Sequence, residues 1–274
     1  MNNGNRRPTY GYHSCHGAAY DSDEEQSTEV DSFFPEDFED DEIREIRRKC
    51  PVPINTWIVK PGENSNRGCG INVVHDINEV RQLVSSAGGA EKTFIVQKYI
   101  DNPFLVHRRK FDFRVFALVT CINKTLKGYF YEDGYIRTSS KEFDLDNLDD
   151  KFVHLTNDAI QKQGEDFGKF ENCNKLSYTD LQRYFNQYHS DLEIDVLKHI
   201  VPQMKRLIVD TIRATCFKLD PPRLMNSFEI FGYDFTLDDE FKLNLIEVNT
   251  NPCLETESPL LARIIPELID NTFK

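Results

Sequence analysis

The sequence predicts a mixed α+β (α/β) chain, mainly antiparallel hairpins with flanking helices. Three observations carry that class. Apolar runs with strand-like alternation recur at 93–100, 111–120, 127–138 and 227–252. Stripes at helical spacing lie at 192–218 and 258–271. In 274 residues, 39% hydrophobic and 12% aromatic, there is enough apolar surface for one large or two small packed units.

Residues 1 to about 40 are rich in Asn, Gly, Ser and acids, so a disordered tail is expected. Between Asp21 and Glu45 thirteen acids face one base, Arg44. Asp40 to Lys49 reads as a short helix ended by Pro51 and Pro53. Thr56–Lys60 is a strand, 61–70 a glycine-rich loop, and Ile71–Val74 a second strand. That order differs from the strand–loop–helix of a Walker phosphate loop, but such a loop can fold over phosphates, and Lys60 can reach one. A plain surface turn is the alternative. Asp76 with Glu79 caps a helix to Ser86. Thr93–Ile100 is a strand with a polar break at Gln97-Lys98, either a hinge whose backbone reads a purine edge or simply a strand end.

His107–Lys110 is a basic cluster leading into Phe111–Thr120, where Asp112 and Arg114 share a face. Opposite charges in a central strand must be paired or bound, and an internal Asp112–Arg114 bridge is the plain alternative. Lys127–Glu132 and Gly134–Thr138 read as a hairpin turning at Asp133-Gly134 and closed by Arg137. A helix begins near Asn157, 163–176 is a loop, and Ser177-x-x-Asp180 caps a helix to about His189. Leu192–Lys218 is the longest helix, with Ile200, Met204, Leu207, Ile208, Ile212 and Phe217 in one stripe and Pro202 as a possible kink. Ser258-Pro259 starts a last helix to about Asn271.

The stretch Ser227–Pro252 is a hairpin with its polar tip at Asp238-Asp239-Glu240. Phe231, Tyr233, Phe235 and Leu237 fill one face, so Asp234 points to the other. Glu247 and Asn249 share a face, and a loop of two or four residues sets Asp234 opposite an odd-numbered partner. Asp234, Glu247 and Asn249 then converge into a hard-oxygen site suited to Mg²⁺. The alternative is a half-exposed hairpin with solvent-facing polar residues. A lone acid within LNLIEVN favours the site.

A net charge of −13 argues against a generic nucleic-acid binder. Seven cysteines, without a C-x-x-C pair, read as reduced thiols of a cytosolic protein. His13, Cys15 and His16 lack the second ligand pair of a zinc site. No apolar run approaches the roughly 18 residues of a membrane span, and no targeting segment is recognised. No membrane or nucleic-acid partner is therefore expected.

The motifs TWIVKP (56–61), NRGCGI (66–71), IVQKYI (95–100), RKFDFRVFALV (109–119), GYIRTSS (134–140), HLTNDAIQK (154–162), FGKFE (167–171), FGYDF (231–235) and IEVNTNP (246–252) stand in one order. Together they resemble the tubulin–tyrosine ligase family, which has the ATP-grasp fold, over essentially all of residues 54–272. The resemblance implies an acidic tail at 1–50, part of an ATP-grasp central subdomain at 51–105 and the C-terminal catalytic subdomain at 106–274. It implies ATP and Mg²⁺ as cofactors. Lys60, Arg67, Gly68 and Gly70 would meet phosphates, Gln97, Lys98, Tyr99 and Ile100 the adenine, and Lys110, Asp112, Thr156 and Asn157 the nucleotide. Asp234, Glu247 and Asn249 would hold Mg²⁺, Arg114 would stabilise phosphoryl charge, and Arg137 would bind the amino acid's carboxylate.

The implied reaction joins a free amino acid to a carboxylate of a tubulin tail through an acyl phosphate. HLTN followed by Asp158-Ala159, with Gln161-Lys162 and FGKFE, resembles tyrosine ligases, and Thr250 stands where some glutamylases carry a His, whereas NTNP departs from tubulin–tyrosine ligase itself. A glutamylase or tyrosine ligase is favoured over a glycylase. The family usually carries an N-terminal domain before WIVKP, so that part of the fold is expected to be truncated or divergent. The alternative function is accordingly a catalytically impaired, nucleotide-binding, microtubule-associated module. The expected protein is a monomer acting on tubulin or microtubules, cytoplasmic, at the cytoskeleton or at a cilium or basal body.

Overall fold

The computed structural model describes residues 55–62, 68–86, 92–219 and 225–274. The expected tail, the Asp40–Lys49 helix and Arg67 lie outside them. Two antiparallel sheets organise the chain. The smaller has the order β2-β1-β3, from β1 (Trp57–Pro61), β2 (Asn72–Val74) and β3 (Phe94–Lys98). Helix α1 (Ile77–Ser86) follows β2, and Asp76 Oδ1 accepts from the Asn78 and Glu79 amides at its start.

The larger sheet has the order β7-β6-β5-β8-β9, with β4 (Leu105–Val106) also on β5. Strands β5 (Arg109–Ile122) and β6 (Thr125–Glu142) are long, and β8 (Asn226–Leu237) and β9 (Leu243–Asn249) form the expected C-terminal hairpin. Between β6 and β7 (Lys175–Leu176) stand two short helices, α2 (Lys151–His154) and α3 (Asp158–Gln161). After β7 come α4 (Tyr178–Tyr188), with the Ser177/Asp180 capping box, and α5 (Val201–Leu219). A π-helical turn at Val196–Ile200 precedes Pro202, so the irregularity lies before the proline rather than as a kink after it. Helix α6 (Pro259–Thr272) closes the chain.

The hairpin expected at Asp133-Gly134 is not there. Strand β6 runs straight through it, and the chain turns at Asn123-Lys124, both with φ above +50°. Between the pairs Val115↔Gly134 and Ala117↔Phe130, β6 carries three residues against one on β5. Asp133-Gly134 therefore marks a bulge, where turn-forming residues serve as well.

One face of the large sheet and helices α4 and α5 make the main core, with Phe113, Val115, Phe231, Tyr233 and Phe235 against Leu181, Phe185, Met204 and Ile208. Phe217, expected in the α5 stripe, is 79% exposed, whereas Cys216 and Leu219 beside it pack on the core. On the opposite face Phe116 and Tyr135 pack on Leu261, Ile264, Ile265 and Leu268 of α6. A third cluster, Val73, Tyr99, Leu105, Phe143 and Val153, joins the two sheets.

A methyl group on Gly134 would lie 2.7 Å from the Arg114 carbonyl oxygen and 2.5 Å from the Tyr178 hydroxyl. Gly134→Ala is therefore expected to cost about 1–3 kcal/mol, read as a lower urea midpoint. An unchanged midpoint would show that the bulge is not closely packed.

Candidate active site

Pairing across the large sheet builds a charged row on the α6 face. Arg114 stands opposite Tyr135 on one side and Asp234 on the other, and Asp112 stands opposite Arg137. Asp234 pairs with Glu247, and Gly232 with Asn249.

That last register depends on an irregularity. The hairpin connection is five residues, 238–242, not two or four. Leu243 and Leu245 consequently sit opposite Leu237 and Phe235, in the main core. Continued alternation would send Glu247 into that core as well. A bulge at Ile246 shifts the pairing by one and turns Glu247 and Asn249 to the charged face. The expected convergence holds, by a different route.

Asp234 is 1% exposed and is held by two guanidinium groups. Arg114 Nε donates to its Oδ1 at 2.5 Å and Nη2 to its Oδ2 at 2.9 Å, while Arg137 Nη2 donates to Oδ2 at 2.8 Å. Arg137 also grips Asp112 through Nε, at 2.8 Å, and Nη2. The result is an alternating chain Asp112–Arg137–Asp234–Arg114, not a bridge between Asp112 and Arg114. Burial pushes the Asp234 carboxyl up, but Arg137 and Arg114 outweigh it and hold it down at about 2. The same two aspartates raise Arg137 well above its ordinary value despite burial.

Glu247 has no guanidinium partner among the described residues. Burial raises its carboxyl, the Asp234 charge adds to that, and Lys60 opposes it. Asn249 Nδ2 lies 3.5 Å from Asp234 Oδ2 and 3.4 Å from Glu247 Oε1. A donor thus sits where two carboxylates converge, and the amide orientation exchanges for its oxygen if a cation takes that place. With Glu247 unpaired by any described arginine, this donor set fits a hard divalent ion.

Lys60, at the end of β1, is 8% exposed, and burial lowers its pKa against the pull of Glu247 and Asp234. Lys110 donates to the Tyr99 hydroxyl at 3.0 Å and the His154 carbonyl at 3.2 Å. Burial brings it down to about 8, with Asp112 opposing and Lys60 assisting. Gly68, at φ +79°, lies against Asn157 and Ile160, so the glycine loop sits beside the HLTN segment, where Thr156 is buried. Gly70 also has positive φ, 75°.

Tyr99 lies in the stretch expected to meet a purine edge. Its amide donates to the Thr56 carbonyl at 3.0 Å, and its ring is buried beside His154. Gln97 and Ile100 are half-buried and Lys98 is exposed. The basic cluster is corrected. Arg109 is 2% exposed, binds both Glu171 oxygens and lies 4.3 Å from the Phe170 ring centroid, and Lys110 is internal. His107 is exposed and Arg108 half-buried, so only the first half of 107–110 reaches solvent.

Several partners escaped the sequence reading. Glu171 also accepts from Thr138, Gln161 bonds the Ser140 amide, and Lys175 pairs with Asp158 at 2.8 Å. Acids and amides inside the apolar FGKFE and HLTNDAIQK motifs were the available signal, but their partners are set only by folding.

A family model described as "Tubulin-tyrosine ligase family" matches residues 18–274. The chain is similar to "Tubulin glycylase 3C" of Tetrahymena thermophila, 34% identical over 80% of this chain and 20% of that protein. It is 34% identical to "Tubulin glycylase 3A" of Drosophila melanogaster, over 80% of this chain and 22% of that one. With "Probable tubulin polyglutamylase TTLL2" of Mus musculus it shares 37% identity over 72% of this chain and 34% of the relative. The chain thus spans between about a fifth and a third of these relatives' lengths.

Removing Asp234 leaves two buried guanidinium groups short of a partner. Asp234→Ala is expected to cost about 3–5 kcal/mol in urea unfolding. Glu247→Gln removes a charge that burial disfavours, so stability should hold or rise. Equal losses in the two variants would contradict the charge assignment.

Proposed function

The chain belongs to the tubulin-tyrosine ligase family, and from that premise we propose an ATP- and Mg²⁺-dependent ligase that joins a free amino acid to a carboxylate of a tubulin tail. Support comes from one juxtaposition: two carboxylates and a carboxamide converge beside three buried cations, Lys60, Arg114 and Arg137, and the half-buried Lys110. Counted with Asp112, the cations exceed the carboxylates by one, and a divalent ion widens that excess, which suits a polyphosphate.

We read the two sheets as the walls of an ATP-grasp cleft, divided near residue 105. Lys60 from the small sheet and Lys110 from β5 neutralise the phosphates, and the anion in turn favours their protonation. Asp234, Glu247 and Asn249 hold Mg²⁺, which when bound neutralises phosphate charge and polarises the transferred group. Asp112 orients Arg137. Among the described residues Arg114 and Arg137 donate through Nε and Nη2, which leaves their Nη1 donors for reactant oxygens. The phosphoryl group passes to the tail carboxylate. The amino group of the free amino acid then forms the amide bond as phosphate leaves with the carbon–oxygen electrons and the ammonium protons are lost. Relatives named as tubulin glycylases weigh against the preference for a glutamylase or tyrosine ligase, and that preference is not kept. The matching location is at microtubules, in the cytoplasm or a cilium.

Tubulin offered with ATP, Mg²⁺ and radiolabelled glycine, glutamate or tyrosine in turn should incorporate one of them. Asp234→Ala/Glu247→Ala should abolish it. Label that survives the double substitution would refute the metal-site reading, and no label with any amino acid would refute the ligase.

Lys110 titrates near 8 in the fold and at 10.5 ordinarily, so between these values the folded protein lacks a proton that the unfolded chain keeps. A bound anion raises the folded value. Nucleotide binding at about pH 8.5 should take up protons, measured calorimetrically in buffers of different ionisation enthalpy, and less so in Lys110→Met. Buffer-independent heats would contradict this.

A further inference from the structure

The geometry points to Tyr135 as the wall of an amino-acid subsite that admits glycine and excludes amino acids bearing side chains, an inference that rests on the ligase reading above. Tyr135 stands opposite Arg114 and two residues before Arg137 on the same face of β6. It therefore lies between two guanidinium groups with free Nη1 donors. Its ring is 3% exposed, packs 6.4 Å from that of Phe116, and lies under Lys175 Nζ at 5.8 Å. Lys175 is the cross-strand partner of Arg137, held by both Asp158 oxygens at 2.8 Å and by the Cys173 carbonyl at 3.2 Å.

No hydrogen bond joins the Tyr135 hydroxyl to another described residue, so its O–H is open to a bound molecule. Arg114, Arg137, Asp158 and Asp234 all act on it electrostatically. Counted with Lys175 over the ring, three cations and two anions lie around that hydroxyl. A zwitterion matches that pattern. Its carboxylate meets the guanidinium N–H groups, its ammonium meets Asp158, whose side chain is 30% exposed, and the phenol bonds the bound molecule. The Tyr135 ring and the Lys175 stem, whose side chain is 2% exposed, fill the ground where a substrate side chain would project. A pocket walled by a rigid ring discriminates chiefly by excluding bulk.

The test titrates glycine, alanine, glutamate and tyrosine into the full chain saturated with Mg²⁺ and a non-hydrolysable ATP analogue. Glycine should bind at least about tenfold more tightly than glutamate or tyrosine. Tyr135→Phe should weaken glycine about tenfold through the lost hydrogen bond. Tyr135→Ala should admit alanine and glutamate and narrow the preference. Affinity for the ATP analogue reports that each variant is folded, and Tyr135→Phe keeps the packing if the alanine variant fails. Wild-type protein that binds no amino acid, or a preference the same in all three proteins, would overturn the subsite. Glycine binding without incorporation into tubulin would leave the subsite standing and overturn the ligase reading instead.

Discussion

Asp234 sits almost wholly out of water, and an isolated carboxylate there would cost several kcal/mol. Two guanidinium groups offset that cost, and one of them is itself fixed by Asp112. None of the four side chains is stable in place without its neighbours. This mutual dependence ties β5, β6 and β8 together at the centre of the sheet, and it leaves Glu247 as the acid without a guanidinium partner. The strand core secures the backbone register, and the register in turn secures the ion pairs.

The bulge at Ile246 connects this network to the rest of the hairpin. Its tip is pinned from outside: the Phe104 amide donates to the Leu237 carbonyl at 2.9 Å, and the Asp239 amide to the Asn102 carbonyl at 3.0 Å. With the tip held and Leu243 and Leu245 committed to the core, one extra residue is the means by which the acid and amide beyond them reach the other face. A second bulge, at Asp133-Gly134, lets β6 pass over the core and still deliver Tyr135 and Arg137 to the charged row.

The small sheet approaches from the side. Lys60, near the end of its central strand, senses Glu247 and Asp234, and the Val73–Tyr99–Leu105 cluster joins that sheet to the larger one. The loop after β6 is latched by Arg109 to Glu171 and by Gln161 to Ser140, so the HLTN and FGKFE motifs hold the rim of the site in shape.

The sequence by itself determined which residues carry charge and which strands exist. Alternation placed Asp234 away from Phe235, and an acid inside LNLIEVN announced Glu247, because strand period and the cost of buried charge are local properties. The motifs were enough to name the family. Partner choice was decided only by tertiary structure. Arg137 rather than Arg114 takes Asp112, Asp133-Gly134 is a bulge and not a turn, and Arg109 is internal, because each outcome depends on which strand lies alongside. Register is a property of pairs of strands, and a shift of one residue, invisible in either strand alone, decides whether Glu247 faces leucines or lysine.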